Sequence, residues 1–318
     1  MEPEQGTVAA VSCNDVYAFT KPVRDEIVLI AGVGVEGDVH AGVYVKHRGR
    51  VRNDPTQPNF RQVHLIQQEL FGEVGAKGYD VAAGNLGENV TTSGLDLIGL
   101  PVGTILRFGP PEGAESAEGA GGAEGAGGAE ETVASSGGGS TGVSGETAAS
   151  RSSGAAEAAR EGAHGLAEPA GAASGATGAA PEVADGWAGV GGPLAAVLEV
   201  AAAARLDPPT ARSAVALAAA AARERDREQA RERTREQARD LGEDSGPAIV
   251  VAGLRNPCGQ INGFREGLLK EVIGRDESGN LVRKAGVMAV VLRGGVIRPG
   301  YVVTVELPPL PHASLERV

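Results

Sequence analysis

Val287-Met288-Ala289-Val290-Val291-Leu292, then Gly294-Gly295, Pro299-Gly300 and Val302-Val303-Thr304-Val305-Glu306-Leu307, is the stretch that decides the fold class. Two apolar, β-branched runs of strand length are separated by glycine and proline turn signals. Upstream, Ala248-Ile249-Val250-Val251-Ala252 is a third such run. Toward the N-terminus the same pattern recurs at Thr7-Val8-Ala9-Ala10-Val11-Ser12 and Glu26-Ile27-Val28-Leu29-Ile30. It recurs again at Thr104-Ile105-Leu106-Arg107-Phe108, which ends at Gly109-Pro110. Asn85 to Thr92 reads as a turn followed by a strand. Helical signals are sparse. Leu70, Phe71 and Val74 predict a short amphipathic helix over 67–74, and Glu266 to Ile273 predicts another, stopped by Gly274. Pro55 and Pro58 argue against helix or central strand in the polar loop from Lys46 to Asn59. The expected class is α+β, mainly β: a closed or nearly closed barrel-like core with a few short helices.

Between the strands ending near Gly109 and beginning at Ala248, the composition changes to Ala, Gly, Ser and Glu. Residues 117–122, Ala-Glu-Gly-Ala-Gly-Gly, repeat as 123–128. The core is therefore expected as two pieces, 1–110 and 247–318, forming one discontinuous domain. Residues 111–206 are expected to be disordered, since such a composition buries too little apolar surface to offset backbone entropy. Asp207 followed by Pro208 and Pro209 predicts a helix start. The Arg/Glu-rich tract after it, with pairs such as Glu224–Arg227 and Glu228–Arg231, predicts a solvated helix over 207–242. The insert would then occupy a loop between two core strands, which costs little when the loop ends are close.

The formal charge of −12 belongs to the insert. Its 22 acidic residues stand against 11 arginines and no lysine, so the flanking core is nearly neutral. No broad basic excess exists to neutralise phosphates along a nucleic acid. No apolar run is long enough to span a bilayer. Two cysteines, Cys13 and Cys258, do not make a disulfide framework. The N-terminus lacks the basic and apolar regions of a signal peptide, and a cytoplasmic protein with reduced thiols is expected.

Chemistry concentrates at Leu254-Arg255-Asn256-Pro257-Cys258-Gly259, directly after an apolar strand. Pro257 fixes the backbone before the thiol, and Arg255 brings a cation that favours thiolate. The alternative for an isolated cysteine is a small buried hydrophobe. Four other stretches could converge on it. Gly34 to Gly42 is a glycine-rich loop bearing Asp38 and His40. Lys46, Arg48, Arg50, Arg52 and Arg61 are opposed locally only by Asp54, which suggests an anion site; an ordinary solvated loop is the alternative. His64 adds a second imidazole, and Glu88 and Asn89 add a carboxylate and an amide on a turn. A His40, His64 and Cys258 metal site, with Asp38 or Glu88, is one way to combine them, although the spacing is not that of a local zinc motif. A Cys–His nucleophilic pair is another.

Taken together, these runs resemble the MOSC family, the domain named for the C-terminal part of molybdenum cofactor sulfurases, in its bacterial stand-alone form. The resemblance rests on Gly34 to Gly42, Arg61 to Ile66, Gly87 to Gly94, Leu254 to Cys258 and Ala285-Gly286-Val287, in that order along the chain. It implies a barrel-like β fold and an essential cysteine, which falls on Cys258 as catalytic residue or metal ligand. Asp38, His40, Arg48, Arg50, Arg61, His64, Glu88, Asn89 and Arg255 are the candidate cofactor-binding residues. In one form of the implied chemistry, molybdenum cofactor is bound through the cysteine and an N-hydroxylated substrate is reduced, with electrons from a separate electron-transfer protein. In another, the cysteine carries a persulfide supplied by a pyridoxal-phosphate-dependent cysteine desulfurase. A third is a non-catalytic cofactor-binding or escort module. The insert, and Gly300-Tyr301 where many members carry Gly-Asp, depart from the pattern.

Overall fold

The structure, a computed structural model, describes residues 4–111, 194–235, 246–275 and 279–318. Most of the insert read as disordered therefore lies outside the described residues. In chain order the strands are β1 (Gln5–Ser12), β2 (Val23–Arg24), β3 (Ile27–Ile30), β4 (Gly34–Val35), β5 (Val63–Gln67), β6 (Val90–Ser93) and β7 (Ile105–Gly109). They continue as β8 (Ala248–Leu254), β9 (Ile273–Arg275), β10 (Leu281–Arg283), β11 (Val287–Arg293), β12 (Gly295–Ile297) and β13 (Val302–Glu306). The helices are α1 (Arg48–Asn53), α2 (Glu69–Gly75), α3 (Ala195–Ala203), α4 (Pro208–Arg235), α5 (Gln260–Phe264) and α6 (Leu268–Val272).

Seven strands close into a mixed barrel in the order β1-β13-β7-β8-β11-β5-β6, returning to β1. Every neighbouring pair is antiparallel except β5 and β6, which run parallel. Strand alternation sorts the side chains. Along β11, Val287, Ala289 and Val291 enter the barrel interior, where they meet Val63, Leu65, Ile249, Val251 and Phe108. Met288, Val290 and Leu292 point outward. A barrel of this size is filled by its own side chains rather than by a ligand. A second small sheet, β12-β3-β4, packs beside it.

Both faces of β8 and β11 are apolar because both are covered. The cover on one outer side is α3 and α4. Val197, Leu198, Ala201, Ala214, Leu217 and Ala221 pack there against Ile105, Val250, Met288 and Val290. The first half of α4 thus differs from the solvated helix expected over 207–242, while Asp226, Glu228, Gln229 and Glu232 are exposed as expected and residues 236–242 lie outside the described residues. Small alanines on one face let α4 approach the sheet closely, and the helix is pinned by charge. Glu224 accepts from Arg107 Nη2 at 2.6 Å and lies 3.1 Å from Arg293 Nη1. Glu306 of β13 pairs with Arg107 and Arg227. Glu224 and Arg227, expected as partners within one helix, thus both reach across to the barrel. The helix start is as expected, with Thr210 N donating to Asp207 Oδ1 at 2.9 Å. Helix α3 falls inside the segment read as disordered. Its apolar side chains find burial that a free chain would lack.

Two local differences remain. Six residues of the polar loop form α1, because Pro55 and Pro58 lie after it rather than within it. The helix expected over 266–273 is shorter, since Gly267 at φ 85° starts α6 and Ile273 already belongs to β9. The ends of the insert do lie together: β7 and β8 are antiparallel neighbours, with Arg107 opposite Ala248. Among the described residues no helix is long and apolar enough to cross a membrane.

Candidate functional site

On the outer wall of the barrel, His64 of β5 and Met288 of β11 stand opposite each other in register. Both face outward because their neighbours Val63, Leu65, Val287 and Ala289 fill the interior. The α3–α4 layer covers the wall on one side. On the other, α2, α5 and α6 cover it through Leu70, Ile261, Leu268 and Val272. Between the two covers a pocket of about 260 Å³ remains, and Cys258 lines it. The fold therefore places the loop after β8, the segment before β5, the turn before β6 and helix α1 around one cavity.

The pocket is built from cations and neutral polar groups. Lys21, Lys46, Arg50, Arg61 and Arg255 line it, with His40, His47, His64, Asn59, Asn89, Asn256 and Gln260. No aspartate or glutamate is among the lining residues. Arg255 is buried, and its Nη1 has no hydrogen-bond partner. Its backbone N–H donates to Gly286 O at 2.9 Å, which fixes where the side chain leaves the strand. Arg61 donates from Nη1 to the backbone oxygen of Val318. Enclosure by protein, then the charges of Arg50 and Arg255, holds the Arg61 guanidinium below the usual arginine range. Burial does the same to Arg255, opposed by Cys258 and Glu88. Burial also lowers Arg50. Guanidinium keeps its proton in proteins, so clustering of this kind appears as unmet positive potential.

The two deeper imidazoles are neutral near pH 7. Burial, then Arg255, depresses His64 well below its ordinary value, and its Nε2–H donates to Ala285 O at 2.8 Å. Gly286 makes this possible. Its φ is 93°, and a Cβ there would meet Leu65 O at 2.0 Å and His64 Nε2 at 3.0 Å. Burial, then Arg61, pushes His47 down to about 4, and its Nδ1 is buried without a partner. His40 differs, because Asp38 stands behind it with Oδ1 3.2 Å from Nδ1 and accepting from the His40 backbone N–H at 2.9 Å. An ionised Asp38 requires a proton on Nδ1, which fixes the ring and leaves Nε2 as its free nitrogen.

Asp38 and Glu88 do not line the cavity; they hold it from behind. Asp38 accepts from Lys21 Nζ at 2.6 Å and from Asn89 Nδ2 at 2.9 Å. Burial alone would raise its pKa, but the His40 hydrogen bond and the Lys21 ammonium outweigh burial and hold it below the carboxylate range. Burial lowers Lys21, against the pull of Asp38. Glu88 accepts from the backbone N–H groups of Gly84 at 2.6 Å and Leu86 at 3.1 Å, tying down the turn that presents Asn89. Burial raises its pKa despite these bonds. Parallel pairing of β5 and β6 then lets Asn89 and His64 exchange hydrogen bonds, Asn89 N–H to His64 O at 2.8 Å and His64 N–H to Asn89 Oδ1 at 3.2 Å.

Of the expected site residues, the structure brings His40, Arg50, Arg61, His64, Asn89, Arg255 and Cys258 to one cavity. Arg48 is not there: its guanidinium lies 4.6 Å over the Tyr17 ring, outside the cavity wall. Among the described residues no group of three or more His, Cys, Asp and Glu side chains is placed to hold a metal ion, so the His40, His64 and Cys258 set does not form a metal centre of its own. Cys258 Sγ is half-buried and 3.5 Å from Gln260 Oε1. Lys21, His47 and Asn59 were not picked out from the sequence. Lys21 carries no local motif, whereas His47 stands in the basic run Lys46 to Arg52 and offered a signal.

No protein-family model matches this chain, and no curated protein matches it. Among solved structures, the YuaD protein of Bacillus subtilis is 14% identical, with a TM-score of 0.46, covering 96% of this chain and 97% of that one. A second, described as a hypothetical protein, is 11% identical, with a TM-score of 0.39, covering 98% of this chain and 72% of that one.

Proposed function

We propose that this chain is a MOSC-type protein that holds an anionic molybdenum cofactor in the arginine-walled pocket, with the Cys258 thiolate as the protein's ligand to molybdenum. The observation that carries the reading is a half-buried thiol sharing a cavity with Arg50, Arg61 and Arg255 and with no carboxylate on its wall. Guanidinium groups that meet no carboxylate on the wall of this cavity suit a phosphate, which accepts paired, charge-assisted hydrogen bonds. The unpartnered Arg255 Nη1 fits the group in question, since a bound phosphate oxygen would satisfy it. Arg61, Arg255 and Arg50 would hold that phosphate, and Cys258 would contribute the soft ligand that molybdenum favours.

When bound, the cofactor supplies two-electron chemistry suited to reducing an N–O bond, with electrons from a separate protein. The chain's own residues supply position and protons. Asp38 orients His40 with its proton on Nδ1, so Nε2 is the pocket's proton relay. Neutral His64, locked on Ala285, keeps an extra positive charge away from the thiol. A second reading, persulfide transfer, is favoured by one feature: the partial exposure of Cys258, which a donor protein could reach. Elemental analysis and intact mass of protein made in cells with molybdenum cofactor separate the two. Stoichiometric molybdenum that is lost in Cys258→Ser supports the first. A reductant-labile extra sulfur on Cys258, without molybdenum, supports the second. Molybdenum retained in Cys258→Ser contradicts the ligand role.

A further inference from the structure

A second cavity of about 160 Å³ adjoins the first, and Val45, Arg50 and Arg61 line both. Its far wall is made by the insert. Arg205, Leu206, Asp207 and Thr210, from the turn between α3 and α4, close it against Phe60 and Pro58. The insert is therefore placed at the site, not only against the barrel.

The chemistry of the two chambers differs. The first has no carboxylate and ends at the thiol. The second is mixed: apolar surface from Val45, Pro58, Phe60 and Leu206, cations from Arg205 and the two shared arginines, and the Asp207 carboxylate. The Arg50 guanidinium forms no hydrogen bond or ion pair among the described residues, while Asp207 is near enough to favour its charge. An anion seated at Arg50 and Arg61 would thus sit at the junction of the chambers. A phosphomonoester there would use one side only. A phosphate with organic arms on both sides would use both.

We infer that the α3–α4 turn makes a second compartment of the Cys258 site, and that the ligand is a phosphate-centred small molecule whose second organic arm, of nucleoside size and polarity, lodges against Leu206, Thr210 and Arg205. This rests on the anion-binding part of the proposed function.

The test is calorimetric titration of the full chain with inorganic phosphate and with the four nucleoside 5′-monophosphates, in low-salt buffer. The expected result is that phosphate binds and that at least one nucleotide binds on the order of tenfold tighter. That gain, read as the ratio of nucleotide to phosphate affinity, should be lost in Arg205→Gln, an exposed position with little risk to folding, and in Leu206→Trp, which fills the chamber. Phosphate binding with no nucleotide gain, or a gain that survives both variants, overturns the second compartment and leaves the arginine site standing. No phosphate binding at all overturns the reading beneath it.

Discussion

Replacing Arg255 by Met should make the ligand-free protein more stable while removing its response to anions. Arg255 is buried with Nη1 unpaired, and an unsatisfied buried polar group costs about 1–3 kcal/mol, more when charged. Repulsion from Arg61 adds to the cost. Against this, the guanidinium lies 5.9 Å over the Phe19 ring, a contact worth up to about 2 kcal/mol when desolvated, and Cys258 and Glu88 favour its charge. Met keeps most of the apolar stem. The balance is a gain of about 1 kcal/mol for Arg255→Met, read by urea denaturation in phosphate-free, low-salt buffer. In the wild type, phosphate at a hundred times its dissociation constant should add about 2.7 kcal/mol. In the variant most of that increment should vanish. A variant that is clearly less stable than wild type without phosphate, or one that phosphate stabilises equally, would refute the reasoning. It would mean that Arg255 is a structural residue with its needs met inside the protein.

Three further perturbations address the frame around the site. Glu224→Ala leaves Arg107 and Arg293 facing each other across a buried contact; with Glu306 still pairing Arg107, the loss should be about 3 kcal/mol in urea unfolding, with α4 opened to proteolysis at its arginines. Gly286→Ala should cost more than about 2 kcal/mol and disturb the His64 ring resonances by NMR, because φ is 93° and the new Cβ meets Leu65 O; an unperturbed ring would contradict the role given to this glycine. His47 titrates near 4 in the folded chain against an ordinary 6.5, so between these values the unfolded chain binds more protons. Stability should fall as pH drops through that window and level off below it, and His47→Gln should flatten the slope; an unchanged slope would show that His47 is not the group involved.

The barrel was readable where local chemistry and tertiary environment agree. β-branched runs bounded by Gly or Pro, such as Val287–Leu292 and Val302–Leu307, became β11 and β13. Helix α3 was not readable, because Ala195–Ala203 lies in a low-complexity tract and owes its burial to a barrel wall far away in sequence. The solvated reading of α4 holds for the exposed Asp226, Glu228, Gln229 and Glu232 but not for the half of the helix before them, for a related reason. Glu224 has arginines within its own helix, and nothing local indicates that its partners are Arg107 and Arg293. At the site, Cys258, Arg61 and Arg255 stood out through residue type and neighbours. Lys21 did not, since its burial depends on Asp38, seventeen residues away. Arg48 shows the converse: a basic run predicts that cations gather, but helix α1 turns Arg50 toward the pocket and Arg48 toward Tyr17.

The most direct test of the account is whether an anion in the arginine pocket shields the cysteine. The rate of iodoacetamide alkylation at Cys258, followed by peptide mass so that Cys13 serves as an internal reference, would be measured with and without inorganic phosphate. The account predicts that phosphate slows modification of Cys258 and not of Cys13, and that the protection disappears in Arg61→Gln and Arg255→Met. Equal rates with and without phosphate in the wild type would contradict it, because the thiol and the arginines would then not form one site.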